Sequence, residues 1–107
     1  MSDIVMRQIR EERALQDAKW GERNHPDRDP LENHHVETHL YAFRANRWKE
    51  INEQRSQTDR TGWDGVLLEE VYEAISEVDP AKLRAELVQV AAVAAAWIEA
   101  IDRRTAT

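Results

Sequence analysis

From Leu87 to Ile98, eleven of twelve residues are apolar, and the exception is Gln89. The run is too short to span a bilayer, and Ala and Val dominate it. Asp79-Pro80 stands just upstream, an N-cap residue followed by proline at the first helical position. Leu83, Leu87, Val90, Ala94, Trp97 and Ile101 recur at helical spacing, and Arg103-Arg104 suits a helix C-terminus. The segment therefore reads as one helix from Pro80 to about Arg104. A helix that is apolar all round is normally covered on all sides. This predicts a helical domain folded around the segment, with Gln89 buried and in need of a partner.

The rest of the chain supports an all-α bundle of about four helices. A first helix is expected from Ser2 or Asp3 to Trp20, with Gly21 ending it. Residues 22–33, with Pro26 and Pro30, read as a loop. A second helix is expected from His34 to Gln57, and Thr58 to Gly65 reads as a break. A third runs from about Val66 to Val78, carried by Leu68, Val71, Tyr72, Ile75 and Val78. Helices three and four would lie antiparallel across the tight turn at Asp79. The 107 residues suit a single domain, 1–107. So small a domain buries little surface by itself, and the apolar run exceeds what a few short neighbours can cover. A homodimer or homotetramer is expected.

With no cysteine, thiolate metal sites and disulfides are excluded. The net charge of −6 argues against nucleic-acid binding. No signal-like or membrane-spanning run is present, so a cytoplasmic chain with no membrane partner is expected. The charge is uneven: residues 69–79 hold five acids and no base, whereas residues 44–60 hold five bases and three acids.

The acidic run carries the chemistry. Glu70 and Glu73 are three apart and share a helix face, and Glu77 extends it. Like charges so placed repel unless a cation joins them. Alone, this is an ordinary solvated face. One helix later, Glu86 and Gln89 repeat the spacing at the head of the apolar run. Two such pairs on antiparallel helices can face each other. Mg²⁺ takes hard oxygen ligands, often carboxylates combined with substrate phosphates.

Glu70-x-x-Glu73, set in Leu67-Leu68-Glu69-Glu70-Val71 and followed after twelve residues by Glu86, resembles the E-x-x-E…E-x-x-D motif of the MazG-like all-α nucleoside triphosphate pyrophosphohydrolases. The stretch from Gln16 to Pro26 is also similar to actinobacterial and phage members. The resemblance implies hydrolysis of a nucleoside triphosphate (NTP or dNTP) to monophosphate and pyrophosphate, with Mg²⁺, or Mn²⁺, held by Glu70, Glu73 and Glu86. It also implies dimers or tetramers. The chain departs at Gln89, where the family has Asp. Gln89 would be a neutral fourth ligand or would orient one. Glu69 is the candidate general base. Trp63 could stack on a base or serve as a core or lid residue, and Arg47 and Lys49 could reach phosphates, although a surface role or a helix salt bridge such as Arg47–Glu50 accounts for each more simply. The alternative is a non-catalytic helical module that binds nucleotide or a protein partner.

Two further groups are open. His34, His35 and His39 cluster at the start of helix two, and the one-turn spacing of His35 and His39 could hold Zn²⁺. Trp20, Trp48 and Trp97 read as core or interface anchors.

Overall fold

The computed structural model describes residues 3–31 and 36–106. These form α1 (Asp3–Trp20), α2 (Val36–His39), α3 (Tyr41–Gln57), α4 (Trp63–Ser76) and α5 (Pro80–Thr105), with no strand among them.

The helix ends follow local chemistry where local chemistry is strong. Gly21 ends α1 at φ +69°, a left-handed conformation that glycine adopts without penalty, and its N–H donates to the Asp17 carbonyl at 2.8 Å. The Asp79 carboxylate accepts from the Lys82 N–H at 3.0 Å, and Pro80 fills the first turn of α5.

Three boundaries differ from the sequence reading. The expected second helix is divided at Leu40, whose backbone sits at φ −94°, ψ −4° and whose N–H donates to the Glu37 carbonyl in a tight turn. An Arg44–Glu37 ion pair at 2.8 Å bridges the two pieces. Helix α4 starts three residues before Val66. Gly62 is extended and caps it, its carbonyl accepting from the Val66 N–H at 3.2 Å, so Trp63, Asp64 and Gly65 lie inside the first turn. Helix α4 also stops short of Val78, at Ser76. Its terminal carbonyls are claimed from a distance: the Arg28 guanidinium, on the loop after α1, donates to the carbonyls of Ile75 and Glu77.

Packing is sequential. Helix α3 lies on α4, α4 on α5 and α5 on α1, while α3 does not reach α5 and α1 does not reach α4. The result is a fan of 50 × 43 × 21 Å. Its buried apolar residues are Val5, Ala45, Ala74, Leu83 and Ala95, and three of those five are alanine.

Within one chain the apolar helix is not covered all round. At 26 residues α5 is roughly 39 Å long, and α4, at 14, is roughly 21 Å. One short neighbour and one partial one cannot wrap it. Leu87 and Val88 are about half exposed, and Gln89 is an exposed residue, not a buried amide seeking partners.

Candidate metal centre

Helix α4 presents Glu70 and Glu73 one turn apart, and α5 brings Glu86 against them. Each of the three offers a carboxylate oxygen, and these atoms lie within 4.8 Å of one another. Each side chain is half-buried. Oxygens bound to one Mg²⁺ at its usual 2.0–2.1 Å stand about 3 Å apart when adjacent and about 4 Å when opposite. A dication would therefore need to draw the cluster in by less than roughly 2 Å.

The electrostatics of the cluster are those of crowded, partly buried carboxylates. Burial raises the Glu70 carboxyl above the ordinary glutamate range, and Glu73, Glu86 and Glu69 push it further. Glu73 is raised by burial and then by Glu86 and Glu69, while Lys49 on α3 pulls the other way. Burial is the largest cause of both shifts, and Glu86 adds a like charge from the second helix.

Glu69 lies on the α3 side of α4. The Asn52 Nδ2 donates to Glu69 Oε1 at 2.8 Å and to the Gly65 carbonyl at 3.0 Å. Asn52 Oδ1 is buried and has no hydrogen-bond partner. It lies where a side chain at Gly65 would have to go, so the missing Cβ lets α3 and α4 approach here. The sequence reading missed Asn52. Its one visible sign is a short amide, a weak helix former, on the same side of the helix as Trp48 and Arg55.

The remaining candidates spread out. Gln89 is one turn beyond Glu86 and exposed. Lys49, also exposed, acts on Glu73 from α3. Arg47 pairs with Glu50 at 3.6 Å and lies roughly 140° around α3 from Asn52, so the fold does not bring it to the carboxylates. Trp63 is half-buried beside Thr61, Gly62 and Val66, about two turns or roughly 10 Å along α4 from Glu70. His34 and His35 lie outside the described residues, and His39 is exposed. Trp48 and Trp97 are half-buried. Trp20 is 53% exposed, not a core residue, and the cations of Lys19 and Arg23 lie over its ring at 4.8 and 4.9 Å. No helix among the described residues is long and apolar enough to cross a membrane. No known protein family, curated relative or solved structure matches the chain.

Proposed function

We propose that this chain is a Mg²⁺-dependent nucleoside triphosphate pyrophosphohydrolase that converts an NTP or dNTP and water to the monophosphate and pyrophosphate. One observation carries the reading: Glu70, Glu73 and Glu86, from two helices, crowd into one half-buried cluster that raises the first two carboxyls. The E-x-x-E…E spacing supplies the reaction class by resemblance. Glu70, Glu73 and Glu86 would hold Mg²⁺ or Mn²⁺. When bound, such an ion neutralises the triphosphate and lowers the pKa of an attacking water. Glu69, held against α3 by Asn52, would accept the water's proton on its carboxylate. Lys49, whose charge acts on Glu73, would face phosphate oxygens, and Trp63 would be the platform for a base.

A second reading, a non-catalytic module that binds nucleotide or a protein partner, is favoured by Gln89 standing where the motif has an acid. Pyrophosphate release from a panel of NTPs and dNTPs with Mg²⁺ or Mn²⁺ separates the two. Hydrolysis by the native chain should fall at least about a hundredfold in Glu70→Gln/Glu73→Gln, a loss of roughly 2.7 kcal/mol of transition-state stabilisation. No release from any nucleotide by the folded native chain would leave the module reading.

A further inference from the structure

Helix α3 turns a row of polar side chains toward α4. Lys49, Asn52 and Arg55 follow one another at intervals of three, which sets them on one broad side of the helix. Each meets an acid of α4. The Lys49 charge acts on Glu73, Asn52 Nδ2 donates to Glu69 Oε1 at 2.8 Å, and Arg55 donates to Asp64 Oδ1 at 2.9 Å. The outer two are cations and the middle one is neutral. A cation at position 52 would join Glu69 in an ion pair. A carboxamide fixes the carboxylate by geometry and leaves its charge uncancelled.

The amide is itself held in one orientation. Its two N–H groups go to Glu69 and, at 3.0 Å, to the Gly65 carbonyl one turn earlier on the same helix. Turned over, the group would set Oδ1 against two acceptors. Gly65 makes room for it, since a Cβ there would collide with Oδ1. The arrangement carries a cost. Oδ1 is buried without a hydrogen-bond partner, which an apolar side chain of similar size would avoid. Packing alone therefore does not account for an amide here, and what the amide adds is its hold on Glu69. Asn52 Nδ2 is the one hydrogen-bond donor to that side chain among the described residues. Glu69 in turn borders the cluster: it is half-buried, and its charge raises both Glu70 and Glu73.

We propose that Asn52 is a positioning residue, which by binding Glu69 Oε1 fixes that carboxylate beside the Glu70–Glu73–Glu86 cluster, in the pose that takes the proton of the attacking water. This rests on the pyrophosphohydrolase reading. In that reaction the water oxygen bonds to the phosphorus retained in the monophosphate, and a water proton passes to Glu69. The bond from that phosphorus to pyrophosphate breaks, its electron pair leaving on pyrophosphate. An untethered glutamate turns about several bonds, and a misplacement of about 1 Å costs roughly a hundredfold in rate. Asn52 acts through Glu69 and not on the substrate.

The test is a cycle of rates, measured as pyrophosphate release with Mg²⁺ from whichever NTP or dNTP the native chain hydrolyses fastest. Asn52→Ala should lower kcat about ten- to a hundredfold, or roughly 1.4–2.7 kcal/mol. KM, and the Kd for Mg²⁺ alone by calorimetry, should stay within about threefold of native. Glu69→Ala should lower kcat by at least the same factor. The double variant should be no slower than Glu69→Ala, because Asn52 has nothing to position once Glu69 is gone. A merely structural residue would lower the rate by the same factor in both backgrounds, and that additivity would overturn the proposal. So would a native kcat in Asn52→Ala. If Asn52→Ala does not fold, Asn52→Asp completes the same cycle, since it fills the same space at Gly65 and, ionised, cannot donate. A native chain that releases no pyrophosphate from any nucleotide would overturn the enzyme reading and this assignment together. An active chain with additive losses would overturn the role of Asn52 alone.

Discussion

Single residues already set a measurable pH response. Glu70 and Glu73 bind protons more tightly in the folded chain than in the unfolded one, because burial and neighbouring carboxylates oppose their charge. Their contribution to stability is therefore unfavourable above the raised range and disappears as pH falls through it. Asp64 works in the opposite sense and at lower pH. The Gly65 backbone N–H and Arg55 lower its carboxyl, so its contribution is lost only on acidification below the ordinary aspartate range. In chelator, the melting temperature should rise as pH falls from neutral toward the ordinary glutamate range, and should do so less in Glu70→Gln/Glu73→Gln. At neutral pH, Mg²⁺ at a hundred times its Kd should add about 2.7 kcal/mol to the native chain. An equal metal shift in Glu70→Ala/Glu73→Ala would remove the site from these residues. The exposure of Gln89 also changes what Gln89→Asp should do. A new carboxylate there meets water, so the unfolding free energy in chelator should stay within about 0.5 kcal/mol of native. Tighter Mg²⁺ binding by that variant in calorimetry would bring residue 89 into the ligand set, and unchanged binding would leave it outside.

At the scale of elements, the contact between α3 and α4 depends on one glycine and one amide. A Cβ at Gly65 would meet the Asn52 carboxamide, so Gly65→Ala should destabilise by about 1–3 kcal/mol despite alanine's better helix propensity. Asn52→Ala alone removes the bonds to Glu69 and the Gly65 carbonyl, each worth roughly 1 kcal/mol. In the double variant the clash has no partner, so its cost should be clearly below the sum of the two singles in urea denaturation. Strict additivity would show that the two positions do not touch. The helix boundaries divide along the same line. The ends of α1 at Gly21 and the start of α5 at Asp79-Pro80 were legible because each is decided within a few residues. The end of α4 was not, because Arg28 reaches its carbonyls across 47 residues of sequence.

For the whole molecule, the fan of helices buries little apolar surface among the described residues, its buried apolar side chains being Val5, Ala45, Ala74, Leu83 and Ala95. If two copies fold as one unit, stability depends on chain concentration. The urea midpoint should rise as the protein is concentrated over about two decades, and the dependence should vanish in Leu87→Glu/Ile98→Glu. A midpoint independent of concentration in the native chain would mean that these helices hold together unaided.

The sequence by itself determined the helical class, the Asp79 cap and the acidic spacing, because turns of 3.6 residues and capping bonds are local. It also placed Glu70, Glu73 and Glu86 as one candidate cluster, since a tight turn between antiparallel helices leaves few other arrangements. It anticipated that short neighbours would not cover the apolar run but placed Gln89 inside; only packing shows which residues of α5 stay bare within one chain, Leu87, Val88 and Gln89 among them. Asn52 on Glu69, the clearance at Gly65 and the separation of Arg47 from the carboxylates were likewise decided in three dimensions. Each depends on how one helix is rotated and set against another, which no spacing along the chain encodes.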